Sequence, residues 1–399
     1  MRQLYGRGLK MGLIKQKFVL FCRKVLFFRV LPLVFNLFKH RPLDEKLVLF
    51  AYNRNYSSMP DNMQGIFEYL KNKGFNCVEM ASPKSGLKRL FFNLRFQKCY
   101  AVCRCVFLTD NFDPVYAHEP REGTRVIQLW HACGAFKKWG YSTADLAWGA
   151  DKKSLSTFPM HNTYTDVFVS ARAVVPCYAE AFGCDEKIIR PFGVPRTDVF
   201  FDEAFVERQR SELQKLFPEI GNRKIILYAP TFRGNDPETA HNEIRLDLEK
   251  LREKLSKEYV LLIKLHPFTA EKFEFSEDEK ERFGNFVFNA SKRVNIDTAL
   301  CSADLLIADY SSLIFEYALL ERPMLFFAYD LEEYDRERSF YYEYKSFVPG
   351  KTVTDADGII KAIETGDFEK EKVAPFRERF MSACDGNCTR RIAEYAVSR

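Results

Sequence analysis

The sequence predicts an α/β protein built from two Rossmann-like, doubly wound domains that face a cleft. Its 399 residues exceed one ordinary domain and suit two. Short apolar runs typical of buried strands alternate with amphipathic segments of helical spacing, which indicates βα units and parallel sheets. A polar break near Asn222 interrupts the alternation, which then starts again and divides the chain into two halves.

The first half contains six predicted strands and two predicted helices. The strands are predicted at Lys46–Tyr52, Phe75–Met80, Ala101–Leu108, Thr124–Trp130, Asp166–Ser170 and Lys187–Arg190. A helix is predicted over Asp61–Lys73, because its apolar residues recur on one side and an aspartate can cap its first turn. The segment Leu87–Lys98 is predicted to be a basic amphipathic helix.

The second half repeats the alternation. Its strands are predicted at Lys224–Tyr228, Tyr259–Leu265, Asp304–Ala308 and Met324–Ala328. Helices are predicted over Glu243–Ser256 and Ser312–Leu320, and the terminal stretch 369–398 is helical in composition with a break around Gly386. Ligands of doubly wound sheets bind at the carboxyl ends of the strands, so functional residues are expected just after strands.

The positive charge of the chain is concentrated before Asp44. The net charge is +6, yet the first 43 residues hold ten lysines and arginines and no acidic residue. Basic residues there alternate with Phe, Leu and Val, which predicts an interfacial amphipathic helix on an anionic membrane surface, with Arg23, Lys24 and Arg29 among its contacts. The segment is too charged to span a bilayer. A basic helix packed on the protein is the alternative, and nucleic acid is disfavoured because no recognised motif accompanies the charge.

Several function classes are disfavoured by what the sequence lacks. Eleven scattered cysteines include no CxxC pair, which argues against zinc and suggests a reducing cytosol. There is no GxxxxGK[ST] and no GxGxxG after the first strand, which disfavours a kinase or a nicotinamide dehydrogenase. No acidic pair suited to a divalent cation is evident. We therefore expect no metal and no cofactor, with phosphate bound by His, Arg and helix amides.

Polar residues that follow predicted strands are the candidates for chemistry. His131 ends a hydrophobic strand at a glycine-containing turn, where an imidazole can take a proton from a hydroxyl; a core histidine is the alternative. Arg233 and His266 follow two strands of the second half, and both can donate hydrogen bonds to phosphate. A surface arginine and a capping histidine are the alternatives for this pair.

Ser311 and Ser312 form the most suggestive local site. They open a predicted helix directly after a buried strand, so their hydroxyls and the first free amides can hold a pyrophosphate. Ordinary N-capping is the alternative. Glu316, one turn further along, can reach a ribose hydroxyl or can face solvent.

Taken together, the strand-end motifs resemble the CDP-glycerol glycerophosphotransferase family of teichoic acid primases and polymerases. The resemblance runs from about Leu47 to about Tyr344, and its motifs in order make it highly specific. They are Gln128–Gly134 with Lys137–Gly140, Phe192–Asp198, Tyr228–Arg233, Lys264–Pro267, Ala308–Ser312 and Arg322–Tyr334.

The resemblance implies a GT-B architecture and a peripheral enzyme on the cytoplasmic face of the bacterial membrane. It implies transfer of polyol phosphate from a CDP-polyol donor to a lipid-linked polymer acceptor, with release of CMP. His131 is then the candidate base, and His266 is the second catalytic candidate. The donor pyrophosphate ligands are then His266, Arg233, Ser311 and Ser312, with Thr231 and Asp309 at the same site.

The family pattern also suggests how the chain is divided. Residues 1–43 would be the membrane-association segment, 44–200 the acceptor-side domain, 201–375 the CDP-donor domain and 376–399 a C-terminal helix. The loop His131–Phe136 departs from the glycerol-type pattern and resembles ribitol-phosphate and capsule-type members. Glycerol or ribitol, primase or polymerase, the identity of the acceptor and the oligomeric state stay open.

Two other functions are compatible with the sequence. One is a GT-B glycosyltransferase that uses a nucleotide sugar, which would share the fold and the pyrophosphate site. The other is a non-catalytic, membrane-associated partner of a polymer-export complex, against which the set of polar residues after strands argues.

Overall fold

The structure is a computed structural model that describes residues 17–53, 58–144, 157–234 and 244–398, together with the isolated positions 146, 149, 155 and 241. Residues 1–16 of the predicted basic segment and Glu243 of a predicted helix lie outside these ranges. The described part of the chain forms two six-stranded sheets, each parallel throughout.

The first sheet is formed by strands of the N-terminal half, in the order β2-β1-β3-β4-β5-β6. The strands are β1 Asp44–Asn53, β2 Asn76–Ser82, β3 Cys103–Leu108, β4 Arg125–Gln128, β5 Asp166–Phe168 and β6 Ile189–Arg190. Their central residues are buried because helices cover both faces of the sheet, as parallel sheets require.

The second sheet has the order β12-β11-β10-β7-β8-β9. Its strands are β7 Lys224–Ala229, β8 Tyr259–Ile263, β9 Val287–Asn289, β10 Leu305–Ala308, β11 Met324–Phe327 and β12 Lys351–Val353. The strand order reverses beside β7, and β7, β8 and β10 are adjacent, so their carboxyl ends lie together.

α-Helices connect and cover the sheets, and fifteen of them after Val30 have both ends within the described residues. In chain order, α1 to α15, they are Leu31–Phe38, Asp61–Asn72, Gly86–Tyr100, Val175–Phe182, Glu203–Leu216, Leu248–Leu255, Pro267–Ala270, Glu277–Phe283, Ile296–Ser302, Leu313–Ala318, Leu331–Arg338, Tyr344–Phe347, Ala356–Thr365, Val373–Met381 and Cys388–Val397. The predicted α/β class with two parallel sheets is confirmed. Two strands of three residues, β9 and β12, were not predicted, whereas the equally short β5 and the shorter β6 were.

The basic N-terminal segment is helical from residue 17 to 38, with a π-helical turn at Leu26–Val30. One side packs on the protein, where Phe27, Leu31 and Phe35 are buried. The other side exposes large apolar side chains, which are Phe18, Val19, Leu20, Phe21, Val25, Phe28, Leu33 and Leu37. Within the described residues, no helix combines the length and the apolar character needed to cross a membrane.

The C-terminal helices join the two halves. Helix α14 places Phe376 against Phe315 of α10, with ring centroids 5.2 Å apart. Helix α15 returns to the first sheet, where Ile392 lies in the same buried cluster as Phe50 of β1. Asp198 caps α15 by accepting hydrogen bonds from the backbone amides of Cys388 and Thr389 at 2.9 and 2.8 Å.

Candidate active site

Two adjoining cavities lie between the carboxyl ends of the two sheets. The larger, of about 470 Å³, is lined mainly by loops that follow β7, β8 and β10. The smaller, of about 280 Å³, is lined mainly by the loop after β4. Both are lined by Lys137, Thr231, Phe232 and Ser312, so they form two lobes of one cleft. The strand ends of both domains thus contribute to a single site.

The larger lobe brings together four of the predicted donor ligands, which are Thr231, His266, Ser311 and Ser312. The Thr231 hydroxyl oxygen is buried and has no hydrogen-bond partner among the described residues. Ser312 precedes α10 without a side-chain capping bond, and the Ser311 hydroxyl accepts only a long 3.3 Å bond from Leu313 N. Hydroxyls and amides that are not engaged by the protein are available to phosphate oxygens.

His266 is held as a neutral ring that can donate a hydrogen bond. Burial, together with the charges of Lys137 and Lys264, lowers its pKa to about 4. Its Nδ1 atom accepts a hydrogen bond from Phe268 N at 3.2 Å, capping α7. In a neutral imidazole the proton then resides on Nε2, which makes that atom a donor. A neutral donor suits a phosphate ligand better than a proton-transfer role.

Arg233 is positioned differently from the prediction. Its guanidinium binds Asp330 through two bonds of 2.8 and 3.0 Å and lies 3.2 Å from Asp309. Burial opposes the charge, but the bond to Asp330 and the charge of Asp309 outweigh it and raise the Arg233 pKa. The side chain lines neither lobe. Because the acids come from distant parts of the sequence, local motifs could not indicate this ion-pair cluster.

Asp309 also acts within the protein rather than at the cavity wall. It is 2% exposed, and its Oδ1 atom accepts hydrogen bonds from the amides of Thr231 and Tyr310 at 2.9 and 2.5 Å. Its second oxygen faces Arg233. The carboxylate therefore fixes the loop that carries Thr231, and the predicted direct contact with the donor is not supported by its position.

Glu316 lines neither lobe of the cleft, so its position does not support the predicted contact with a ribose hydroxyl. It is 3% exposed. Its nearest cation is Arg196 at 3.9 Å, which also pairs with Asp297 at 3.2 Å. Burial raises the Glu316 pKa. Helix α10 turns this side chain toward the contact between the domains, so the solvent-facing alternative is also wrong.

His131 lines the smaller lobe and is oriented by a carboxylate. Its Nδ1 atom lies 2.9 Å from Asp110 Oδ1 and 3.3 Å from the Thr109 carbonyl. The ring is 47% exposed, and Nε2 is the nitrogen on its opposite edge. A base needs a third group that holds its ring and stabilises its protonated form, and Asp110 meets both needs.

The turn that carries His131 is held by the backbone. Trp130 has a φ of 56°, an unusual value for a residue with a side chain. Its carbonyl accepts hydrogen bonds from Asn62 and Thr109 at 2.6 and 2.9 Å. Gly134 has a φ of 62°, and a Cβ there would lie 2.2 Å from the Phe315 ring. The second domain therefore packs directly on this loop.

Several charged residues at the cleft had no assigned role in the prediction: Lys137, Lys138, Lys264 and Arg338 line it, and Asp110 contacts His131. Lys137 lines both lobes, with Nζ 3.3 Å from the Tyr334 hydroxyl. Lys264 lines the larger lobe and donates to the Ser291 carbonyl at 2.8 Å. Both lysines stand inside motifs of the sequence, but Asp110 lies outside them, and only its position at the end of β3 could have indicated it.

The predicted membrane residues lie on the N-terminal helix. Lys24 and Arg29 are exposed. Arg23 is also exposed, but its guanidinium lies 3.4 Å from Asp113 and over the Phe158 ring. One of the three side chains is thus partly engaged by the protein.

Comparisons with known proteins agree with this geometry. The family model for CDP-glycerol:poly(glycerophosphate) glycerophosphotransferases matches residues 33–398. A teichoic acid ribitol-phosphate primase of Bacillus spizizenii is 36% identical over 362 residues, which cover 89% of this chain and 91% of the primase. The ribitol-phosphate polymerase TarL of Staphylococcus aureus is 42% identical over 83% of this chain, which spans 59% of that polymerase.

The fold is also similar to that of a solved relative. The wall teichoic acid polymerase TagF superposes with a TM-score of 0.73 over 97% of this chain and 96% of that chain, at 22% identity. This likeness supports the GT-B-like arrangement of the two sheets. With the family model matching most of the sequence, the chain belongs to the CDP-glycerol:poly(glycerophosphate) glycerophosphotransferase family.

Proposed function

We propose that this protein transfers ribitol phosphate or glycerol phosphate from a CDP-activated donor to a hydroxyl of a lipid-linked teichoic-acid-like or capsular polymer, releasing CMP. The observation that carries the proposal is the cleft itself. A carboxylate-oriented histidine stands in one lobe. Hydroxyls, two lysines and a neutral imidazole line the other, with no acidic side chain among its described lining residues. A base beside a phosphate-binding pocket is what a phosphoryl-type transfer requires.

The reaction follows from this arrangement. An acceptor hydroxyl oxygen attacks the β-phosphorus of the donor, the bond from that phosphorus to the bridging oxygen breaks, and CMP leaves with the electron pair. His131 Nε2 takes the hydroxyl proton, and Asp110 stabilises the resulting imidazolium. His266 Nε2, the Thr231 hydroxyl and the Ser311–Ser312 segment bind the phosphate oxygens. No metal or other cofactor enters the proposal, since Lys137 and Lys264 supply positive charge.

Ribitol is the polyol that the relatives favour. The ribitol-phosphate primase and polymerases among them are 34% to 42% identical to this chain, whereas the glycerol-phosphate enzymes are 28% to 30% identical. The loop His131–Phe136 points the same way, because it departs from the glycerol-type pattern. We therefore expect CDP-ribitol to be the better donor.

We further propose that the protein is peripheral and binds the cytoplasmic face of the membrane through its N-terminal helix. Exposed apolar side chains such as Phe18 and Phe21 stand beside the basic residues Lys24 and Arg29. Replacing Lys24 and Arg29 by Gln should cost about 2 kcal/mol of binding to anionic vesicles, and less as salt rises. The double variant of the exposed Lys254 and Lys361 is the matched control, and equal losses would contradict the assignment.

The catalytic proposal is tested by CMP release. Purified protein is given a lipid-linked acceptor with CDP-ribitol or CDP-glycerol, and the product is examined for phosphate-linked polyol. We expect CMP release with CDP-ribitol, and a loss of about 10²-fold or more in His131→Ala. Consumption of a nucleotide sugar, with no phosphate in the new linkage, would show a glycosyltransferase instead. If neither CDP-polyol binds, the result would favour the alternative of a non-catalytic partner of a polymer-export complex.

A further inference from the structure

A third cavity lies away from the cleft, between the N-terminal helix and α3. Its volume is about 440 Å³, and it shares no lining residue with the two lobes of the active site. Part of its wall consists of apolar side chains from both helices, namely Leu26, Phe27, Leu31 and Leu90. Because the N-terminal helix carries the exposed apolar side chains described above, this cavity belongs to the side of the molecule that we propose faces the membrane.

The polar part of the cavity is mainly cationic. Among the described residues, Arg23, Lys84 and Arg89 line it together with one acidic residue, Asp113. Arg23 and Arg89 approach the same oxygen of Asp113 at 3.4 and 3.5 Å, both long for charge-assisted hydrogen bonds. One carboxylate shared by two guanidinium groups, with a lysine nearby, leaves an excess of positive charge. The cavity is therefore suited to an anion.

A buried amide provides independent evidence for a ligand. Asn93 lines the cavity and is 7% exposed, and its Oδ1 atom is buried with no hydrogen-bond partner among the described residues. Buried amides in native proteins are normally satisfied, and the two ends of an Asn amide can exchange places. The Asn93 amide nitrogen also makes no hydrogen bond to the described residues, so it can donate one to an anion in the cavity.

The start of α3 adds to the same preference. Ser85 is its N-cap but makes no side-chain capping bond, and the first turn contains no acidic residue. Both Ser85 and Gly86 line the cavity, so the positive end of the helix dipole is close to it. No acidic residue in the first turn neutralises the N-terminus of this 15-residue helix, so its partial positive charge adds to that of the cationic side chains.

Large apolar side chains lead away from the cavity along α3. Leu87 and Phe91, one turn apart on that helix, are 73% and 67% exposed. They flank the lining residues Arg89 and Leu90 in the sequence. A ligand with an anionic head and a hydrocarbon chain can therefore place its head in the cavity and its chain along these side chains, which a free phosphate could not exploit.

We propose that this cavity binds the phosphate group of one anionic membrane lipid, with the lipid chains lying against Leu87 and Phe91. The inference deepens the proposed membrane association, from attraction to a charged surface to a defined site for a single headgroup. Arg23, Lys84 and Arg89 neutralise the phosphate, and the Asn93 amide donates to it. The experiment can separate the two ideas, because a defined site binds a dispersed lipid without any bilayer.

The test uses dihexanoyl-phosphatidylglycerol below its micelle-forming concentration and isothermal titration calorimetry on the full chain. We expect saturable binding at one site. Arg89→Gln removes one lining cation and should weaken binding about tenfold or more. Lys88→Gln is the matched control, because Lys88 is exposed, adjacent on the same helix and absent from the lining. It should change the affinity less than about twofold.

A second variant keeps the test independent of charge. Asn93→Leu fills the amide position with an apolar group of similar size and should also weaken binding, with thermal melting checked to exclude loss of the fold. Equal effects of Arg89→Gln and Lys88→Gln, inorganic phosphate binding as tightly as the lipid, or no saturable binding would each overturn the proposal. CMP release in solution by Arg89→Gln should match wild type, so failure of the lipid site and failure of the catalytic proposal are distinguishable.

Discussion

The contact between Asp110 and His131 makes a quantitative prediction about catalysis. Asp110→Asn keeps the shape of the side chain but removes the charge that stabilises the protonated ring. Two unit charges about 4 Å apart attract by roughly 1 kcal/mol in water and roughly 4 kcal/mol at an effective dielectric constant of 20. The two side chains are 25% and 47% exposed, so we take an intermediate value of about 2 kcal/mol. This corresponds to a loss of about 30-fold in kcat.

The assay is steady-state CMP release with CDP-ribitol and a fixed lipid-linked acceptor. Asp110→Asn should lower kcat while KM for the donor stays within about twofold, because the residue lies outside the donor lobe. In a His131→Ala background the same substitution should cost nothing further, since Asp110 acts through that ring. Asp185→Asn, an exposed site of the first domain, is the matched control.

Two results would refute this reasoning. An unchanged kcat in Asp110→Asn would mean that the carboxylate does not support proton transfer. An equal loss in the wild-type and His131→Ala backgrounds would mean that Asp110 stabilises the fold or the acceptor rather than the base.

Four further predictions test the cleft and its supports. Thr231→Val should raise KM for the donor about tenfold with a folded protein, whereas an unchanged KM would remove the hydroxyl from donor binding. Burial lowers the His266 pKa to about 4, so the neutral ring should stabilise the fold fully above about pH 6.5 and less as the pH falls toward 4. Wild type should therefore lose more resistance to urea between pH 7 and 5 than His266→Asn. Equal losses in the two proteins would contradict this. Glu316→Gln should lower the free energy of unfolding by about 1–3 kcal/mol, because Arg196 loses a charged neighbour. Its affinity for the donor should stay unchanged, and a selective loss of donor binding would support the ribose role instead. Gly134→Ala should destabilise the protein by about 2 kcal/mol or more, because the new methyl group would clash with the Phe315 ring and because the backbone has a positive φ there. An unchanged melting temperature would exclude that contact.

Most of the secondary structure could be predicted from the sequence because it depends on local patterns. The longer strands, such as β1 and β3, are apolar runs bounded by polar segments, and the helix α2 has an amphipathic repeat. The strands β9 and β12 have three residues each, and their pairing with β8 and β11 depends on neighbours distant in the chain.

The candidate site divides in the same way. His131, Thr231, His266 and the Ser311–Ser312 segment follow strands directly, and strand ends of parallel sheets converge, so sequence position alone predicted that they meet. Arg233 follows a strand and Glu316 lies in the first turn of a helix after a strand, but neither side chain lines the cleft. The residues that pack around Arg233 and Glu316 in the fold determine which groups they contact, and their positions in the sequence do not reveal these.

The sequence by itself thus determined the fold class, the family and several of the residues that reach the cleft, because periodicity and strand-end motifs are local properties. Only the tertiary structure decided which charges neutralise one another. Arg233 meets Asp309 and Asp330, and His131 meets Asp110, since packing brings together groups that lie 20 to almost 100 residues apart. The acids beside Arg233 occupy its guanidinium group, whereas Asp110 orients the His131 ring and leaves Nε2 for the substrate, and in both cases the fold sets the partner.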